Sequence, residues 1–183
     1  MLINADKEDS SLERFIAEVR SIWGDGKDPE LPYKVKGLLE ELLTSINPQE
    51  SWNANLIKEG LPSKELYRDK DHGFILMGHV HDKSHSNPPH DHGPCWVLYG
   101  VYHGVTEITT YRRTDDGKVP GRATLEKREL RRLTPGMVIP YLPGEIHSTL
   151  AVEPSVVFRF LNCDLNKVKR YRYDLAGQTM SGA

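Results

Sequence analysis

Three histidines near the middle of the chain have the types and spacing suited to binding a metal ion. His90 and His92 are separated by one residue, and His147 lies in a second segment that is rich in proline and glycine. Side chains of an extended strand alternate between its two faces, so a His-x-His pair places both imidazoles on one face. A third histidine on a facing strand would complete one side of a coordination sphere and leave the other side open. An open position is typical of catalytic metals.

The ligand type does not select the metal at such a site. Imidazole suits iron, zinc, nickel and copper alike. Iron on three histidines would favour O2 chemistry, whereas zinc would favour hydration or hydrolysis through a bound hydroxide. The residues alone therefore predict a metal centre at His90, His92 and His147 and leave its reaction open.

The composition favours one soluble globular domain. A chain of 183 residues can bury one core, and its net charge of −2 gives no basic excess for nucleic acid. The two cysteines are too few for a disulfide framework. No stretch approaches the roughly 20 apolar residues that span a bilayer. The charged residues Asp6, Lys7, Glu8 and Asp9 argue against a signal peptide, so we expect a cytoplasmic protein.

Helical periodicity is confined to the first third of the chain. Ser10 and Glu13 are spaced as a capping box at the start of one amphipathic helix, and a second helix is expected between Pro32 and Pro48. Both helices should pack on the outside of a β-barrel. The predicted parts of this single domain are a helical segment at residues 1–65, a barrel at 66–175 and a flexible tail at 176–183.

From about Gly73 the apolar pattern becomes extended, and turns rich in glycine and proline separate short segments. The expected strands are Phe74–Val80, Trp96–Tyr102, Val105–Arg113, Thr124–Leu133, Met137–Pro140, Ser148–Val152, Val156–Leu161 and Val168–Tyr173. Many short strands with regular turns indicate an all-β sandwich or barrel. The charged strand Thr124–Leu133 should be a solvated edge, and Gln178–Ala183 should be frayed.

The segments around the histidines resemble the two motifs of the cupin superfamily. Leu133–His147 contains a Pro-Gly turn, a short apolar strand, a second Pro-Gly turn and a histidine, as the second cupin motif does. His90, His92 and Gly104 are similar to the first motif. The resemblance covers roughly residues 66 to 162. It implies a double-stranded β-helix, or jelly-roll barrel, which here follows two N-terminal α-helices.

Among cupins, the chain is similar to the thiol dioxygenase family, which includes cysteine dioxygenase and 3-mercaptopropionate dioxygenase. The shared features are His90-Asp91-His92, the third histidine and the dipeptide Glu153-Pro154 that follows it. The resemblance implies Fe(II) on the three histidines, with zinc, nickel or manganese as alternatives. It also implies a thiolate substrate that O2 converts to a sulfinate, and an arginine that pairs with the substrate carboxylate. Arg68 is the matching arginine.

The chain also departs from that family. Alignment on Glu153-Pro154 places Val157, Arg159 and Leu161 at the positions of the family's Ser-His-Tyr relay. Val97 replaces the cysteine that is cross-linked to the relay tyrosine in cysteine dioxygenase. The glutamate that most cupins add after the second histidine is also missing. Three neutral ligands would leave the metal with its full charge, so we expect an anionic, chelating substrate, and a thiol other than cysteine or another oxygenase reaction.

Several further residues have both a functional and a structural interpretation. Tyr141 could donate its hydroxyl to bound oxygen, and His81 could supply a proton as part of a second histidine cluster. Trp96 could form the apolar wall of a substrate pocket. Arg159 could bind the substrate if its side chain points into the barrel. Packing is the structural alternative for the aromatics, solvent exposure is the alternative for His81 and Arg159, and a surface salt bridge is the alternative for Arg68. The second cluster comprises His79, His81 and His85.

These observations together predict a metal-dependent cupin oxygenase that prefers Fe(II) and acts on a small anionic, thiol-like substrate and O2. One alternative is a metalloenzyme that activates water without oxidation. Another is a cupin that binds a small anion without turnover. We expect neither nucleic acid nor a membrane as a partner, and a homodimer is compatible with the sequence.

Overall fold

The computed structural model describes residues 10–183, and the charged residues at positions 6–9 lie outside this part. Three α-helices precede eleven strands in the described chain, and a 3-10 helix, Leu165–Lys167, follows the ninth strand. The helices are α1 (Ser11–Ile22), α2 (Leu31–Ser45) and α3 (Ser51–Glu59). The strands are β1 (Lys64–Arg68), β2 (Ile75–His81), β3 (Ser86–His90), β4 (Val97–His103), β5 (Thr106–Arg113), β6 (Leu125–Leu133), β7 (Val138–Tyr141), β8 (Ile146–Ala151), β9 (Ser155–Leu161), β10 (Tyr171–Asp174) and β11 (Thr179–Gly182).

The strands form two antiparallel sheets with a jelly-roll arrangement. One sheet has the order β1-β2-β9-β4-β7, and the other has the order β11-β10-β3-β8-β5-β6. Strands β2 to β9 pair in a nested way, since β2 pairs with β9, β3 with β8, β4 with β7 and β5 with β6. This nesting of eight antiparallel strands in two sheets defines a jelly roll. The predicted all-β jelly-roll class is therefore confirmed.

The helices differ in number from the expectation. The predicted capping box at α1 is present, because the Ser10 hydroxyl accepts from the Glu13 N–H at 3.2 Å and the Glu13 carboxylate accepts from the Ser10 N–H at 2.8 Å. The expectation of only two helices is wrong, because Ser51–Glu59 forms a third. This helix has nine residues, and its buried side chains are those of Asn53 and Leu56. Because the apolar stripe of this helix is so short, the sequence shows little helical periodicity there.

The helices cover the outer face of the first sheet, as predicted. Two glycines in the strands make room for them. A Cβ added at Gly78 in β2 would lie 2.7 Å from the Leu56 side chain of α3. A Cβ added at Gly100 in β4 would lie 2.8 Å from the Leu43 side chain of α2. The resulting core between helices and sheet is separate from a second core inside the barrel.

The remaining differences lie at the edges of the sheets. Strands β1, β3 and β11 were not predicted. Thr179–Gly182 pairs with β10 as β11, so the frayed end expected over Gln178–Ala183 is not observed. The charged strand β6 is an edge strand with mostly exposed residues, as predicted. Within residues 10–183, no helix is long and apolar enough to cross a membrane.

Cys95 and Cys163 form a disulfide, with Cα atoms 6.0 Å apart and a sequence separation of 68. The cysteine count alone did not anticipate this pair. Their proximity follows from strand register, because Val97 of β4 lies opposite Leu161 of β9 and each cysteine is two residues outside that pair. The sequence distance between two cysteines contains no information about such a register.

Candidate metal centre

The three predicted ligands converge inside the barrel. His90 ends β3 and lies opposite His147 of β8 in the sheet register. One nitrogen of each of His90, His92 and His147 lies within 4.8 Å of the others, and the ring centroids are 4.7 to 5.0 Å apart. Among residues 10–183 this is the one group of three or more histidines, cysteines or carboxylates with such spacing. The arrangement is able to hold a metal ion.

His92 reaches this group from a turn rather than from a strand, because β3 ends at His90. Asp91 holds that turn in place. Its carboxylate accepts hydrogen bonds from the N–H of Gly93 at 2.9 Å, the N–H of Tyr171 at 3.1 Å and the hydroxyl of Tyr173 at 2.7 Å. Asp91 is buried, and from the sequence it had no expected role beyond its place in a motif. Its position between two ligand histidines was the available signal.

Burial keeps the three imidazoles neutral. His92 is 2% exposed and His147 is fully buried, while His90 is partly exposed. Desolvation lowers the pKa of all three, and the nearby Arg159 guanidinium lowers each of them further. A neutral imidazole has a lone pair to offer a metal, whereas a protonated one has none. The electrostatics of the site therefore favour the ligating form.

The hydrogen bonds of the three rings also fit a metal. His90 Nδ1 lies 2.8 Å from the carbonyl oxygen of Pro88. Since a carbonyl only accepts, Nδ1 carries the proton and Nε2 keeps its lone pair. His92 Nε2 and both nitrogens of His147 are buried without a partner. Leaving buried polar atoms unpaired costs about 1–3 kcal/mol each, so a bound cation would satisfy these nitrogens.

Two tyrosines enclose the histidine group. The Tyr141 ring stacks on His147 with centroids 3.8 Å apart, and the Tyr99 ring meets His147 edge-on at 5.4 Å. The Tyr141 hydroxyl is buried without a hydrogen-bond partner. Burial also raises the pKa of Tyr141, so the hydroxyl stays protonated. Tyr141 therefore has a protonated hydroxyl beside the histidine group. A residue that donates a hydrogen bond to bound oxygen needs such a hydroxyl.

The structure does not bring Arg68 or Trp96 to this group. Arg68 forms surface ion pairs with Glu65 at 2.7 Å and Asp164 at 2.9 Å. Trp96 points to the helix side of the first sheet, where its ring stacks on Phe160 with centroids 5.5 Å apart. The structural alternatives, a surface ion pair and packing, describe both residues. We therefore assign neither of them to the site.

Arg159, in contrast, points into the barrel. It lies opposite Met77 of β2 and Tyr99 of β4, and its neighbours Val157 and Leu161 on the same face of β9 belong to the inner core. The intervening Phe158 and Phe160 face the helices. This alternation resolves the question that the sequence left open. Arg159 lines a cavity of about 290 Å³ together with the second histidine cluster, so His81 lies in that cavity.

Tyr141 also lines a second cleft, of about 690 Å³. Four arginines from β5 and β6 line it, together with Glu129 and Glu145. Three of these arginines pair with nearby carboxylates. The histidine group is thus flanked by an inner cavity on the side of Tyr99 and by a surface cleft on the side of Tyr141. The lining arginines are Arg112, Arg113, Arg128 and Arg131.

No protein-family model matches the sequence, and no curated protein matches it significantly. Solved structures with a similar shape cover about half of the chain. KdgF from Halomonas sp. is 22% identical, with a TM-score of 0.43 over 56% of this chain and 79% of that chain. A cupin superfamily protein from Desulfitobacterium hafniense is 17% identical, with a TM-score of 0.42 over 56% and 76%. Hydroquinone 1,2-dioxygenase PnpCD is 11% identical, with a TM-score of 0.46 over 61% and 70%.

Proposed function

We propose that this protein is a metal-dependent cupin oxygenase in which His90, His92 and His147 hold Fe(II). One observation carries the proposal. Three neutral imidazoles, two of them buried, have ligand nitrogens within 4.8 Å of one another, and those of His92 and His147 include nitrogens with no partner inside the protein. Three histidines on one side of a metal leave further coordination positions open, which a purely structural site does not need.

The bound iron would supply the O2 chemistry that side chains cannot perform. The chain's own residues would orient the reactants and control water. The Tyr99 and Tyr141 rings pack against His147 and exclude water from one side of it. The Tyr141 hydroxyl would donate a hydrogen bond to a reacting oxygen atom, since it has no partner in the protein.

The charges around the site support a small anionic substrate. The ligands are neutral, and no aspartate or glutamate lines the cavity next to them. Arg159 therefore contributes an unbalanced positive charge in addition to that of the metal. The resemblance to thiol dioxygenases suggests a thiol-like anion. We propose Arg159 rather than Arg68 as the residue that attracts it, because Arg68 is already paired on the surface.

Oxygen uptake by anaerobically Fe(II)-loaded protein would test this proposal. The panel would include cysteine, 3-mercaptopropionate, cysteamine, aromatic thiols and catechols. We expect uptake with one thiol class and its loss in His147→Ala, because that variant removes a ligand. Uptake with catechols alone would retain the oxygenase and reject the thiol substrate.

A protein that binds a small anion without turnover is the second candidate. Val157 and Leu161, which occupy two relay positions, are apolar and lie in the inner core. If iron-loaded protein bound a panel compound but consumed no oxygen, this second function would replace the first. If His147→Ala kept both stoichiometric iron and activity, the ligand assignment would be wrong.

A further inference from the structure

The cavity of about 290 Å³ beside the histidine group is an immediate neighbour of the proposed metal site. Tyr99 lines the cavity, and its ring centroid lies 5.4 Å from that of His147 and 6.2 Å from that of His92. Thr149 also lines the cavity and follows His147 by two residues on the inner face of β8. At about 3.3 Å per residue, their Cα atoms are roughly 6.6 Å apart. A small molecule could therefore span from the cavity to the histidine group.

Several polar atoms in and around this cavity are buried without a partner. They include Arg159 Nε, His79 Nε2 and Thr106 Oγ1. Within residues 10–183, Arg159 forms no hydrogen bond or ion pair. A protein interior rarely tolerates several unpaired polar groups around one cavity, because each was stripped of water on folding. These atoms are available to form hydrogen bonds with a molecule that enters the cavity.

The charge of the cavity defines one end of that ligand. Arg159 is the one positively charged side chain in the lining, and no lining residue is acidic. A guanidinium only donates hydrogen bonds, and its planar fork matches the two oxygens of a carboxylate. A carboxylate would therefore pair with Arg159, and a second arginine, Arg170, lies near Arg159 outside the lining and adds to the positive charge.

His79 defines a second feature of the ligand. Its Nδ1 lies 2.8 Å from the carbonyl oxygen of Pro62. Because that oxygen only accepts, Nδ1 carries the proton and Nε2 is an acceptor. Burial, with Arg159 nearby, lowers the pKa of His79 to about 3, so the ring remains neutral. Nε2 therefore needs a hydrogen-bond donor from the ligand.

We propose that this cavity binds a small hydroxycarboxylate, with its carboxylate on Arg159 and its hydroxyl donating to His79 Nε2. A hydroxyl suits the site better than an ammonium group, which would add a second positive charge where no lining residue is acidic. The identification of this ligand as the substrate rests on the proposed function. On that basis the cavity anchors the carboxylate end of the substrate, while its reactive end reaches the histidine group.

Binding to metal-free protein tests the cavity without any turnover. The probes are 2-hydroxypropionate, propionate, alanine and propionamide, titrated by calorimetry or by NMR. We expect 2-hydroxypropionate to bind roughly fivefold more tightly than propionate, the ratio expected for one added hydrogen bond. Propionamide and alanine should bind at least roughly tenfold more weakly than 2-hydroxypropionate, because one lacks the charge and the other adds an ammonium.

Two variants test which side chain binds the carboxylate and which one binds the hydroxyl. Arg159→Met should weaken binding of both carboxylates by at least roughly tenfold. His79→Asn keeps a donor for the Pro62 carbonyl but loses Nε2, so it should abolish the preference for the hydroxylated probe. Arg132→Met is the matched control, because Arg132 pairs with Glu107 on the surface of β5 and β6. It should bind all probes as the wild type does.

Unchanged carboxylate binding in folded Arg159→Met would overturn the proposal, as would equal binding of 2-hydroxypropionate, propionate and alanine to the wild type. If a variant fails to fold, NMR of the wild-type imidazole nitrogens decides the matter. 2-Hydroxypropionate should shift the His79 Nε2 signal and propionate should shift it less; no shift with either would reject the site.

Probe binding without oxygen uptake on any substrate would contradict the oxygenase alone. Oxygen uptake without probe binding would contradict the cavity assignment alone.

Discussion

The barrel contains two His-x-His pairs, and only one of them gathers a metal-ligand group. His79 and His81 lie on β2, and their ring centroids are 5.6 Å apart. His90 and His92 are similarly close, at 5.0 Å. The difference lies in the third histidine. His147 comes from β8, the neighbouring strand that pairs with β3, and lies directly opposite His90. His85, in contrast, follows four residues after His81 and stacks on it at 4.0 Å. Spacing along the chain is thus insufficient without a third histidine from the neighbouring strand.

The two clusters also differ in their surroundings. Asp91 fixes the turn between His90 and His92 through three hydrogen bonds. The second cluster faces a cavity that contains Arg159, and its His79 uses Nδ1 to bind the backbone. Identical spacing thus contributes to a group able to hold a metal in one case and to the lining of a polar cavity in the other.

The largest expected difference between the clusters is in metal affinity. His147→Ala should lower the affinity for Fe(II) or Zn(II) by more than roughly a hundredfold, since losing even an indirect contact costs 10- to 100-fold at metal sites. His85→Ala, the matched change in the second cluster, should leave the affinity unchanged. Chelator competition measures both. Equal losses in the two variants would mean that the clusters share the metal.

The anchoring role of Asp91 should produce a smaller effect. Asp91→Asn retains one oxygen acceptor but cannot accept three hydrogen bonds equally well, so metal affinity should fall by about tenfold. Asp82→Asn, next to His81, is the control, and its affinity should equal that of the wild type. Chelator competition with thermal unfolding would distinguish loss of the turn from loss of the fold. An unchanged affinity in Asp91→Asn would show that the turn holds His92 without this carboxylate.

The second cluster should appear in the pH dependence of stability. Burial lowers the pKa of His79 to about 3 and that of His81 to about 4, with Arg159 and His85 adding to the effect. Below pH 6.5 the unfolded chain therefore binds protons that the folded chain does not, and metal-free protein should lose stability as pH falls towards 4. Each such histidine contributes about 1.4 kcal/mol per pH unit in that window.

Comparing His79→Asn with the wild type isolates the contribution of His79, because His90, His92 and His147 titrate equally in both proteins. Denaturant unfolding between pH 4 and 7 should show a shallower slope for the variant, by about 1.4 kcal/mol per pH unit. Parallel curves for the two proteins would mean that the His79 ring is hydrated and titrates normally.

Tyr141→Phe should give the smallest effect on stability and a selective effect on turnover. The Tyr141 hydroxyl has no partner, so its removal should change the free energy of unfolding by less than about 1 kcal/mol. The ring, which stacks on His147, is retained. Metal affinity should therefore persist while the turnover of iron-loaded protein decreases. Turnover equal to that of the wild type would assign Tyr141 to packing alone.

The sequence predicted the features that depend on local pattern. The capping box of α1, the charged edge strand β6 and the grouping of His90, His92 and His147 were predicted from spacing and turn residues. The missed features depend on contacts across the sheets. The disulfide follows from the register of β4 and β9, and the surface pairing of Arg68 depends on Asp164, which is 96 residues away. Asp91 was present in the motif, but its partners Tyr171 and Tyr173 come from β10.

The Cys95–Cys163 disulfide turns the middle of the chain into a covalent ring. His147 and Tyr141 lie inside this ring, whereas His90 and His92 lie just before it. In the chain-entropy account, a ring of this size stabilises the folded state by about 4 kcal/mol, because the unfolded chain loses freedom. A protease cut between the exposed residues Asp116 and Gly117 would leave one covalently connected molecule until a reductant is added. Metal bound by all three histidines would then tie the segment before the ring to the ring itself.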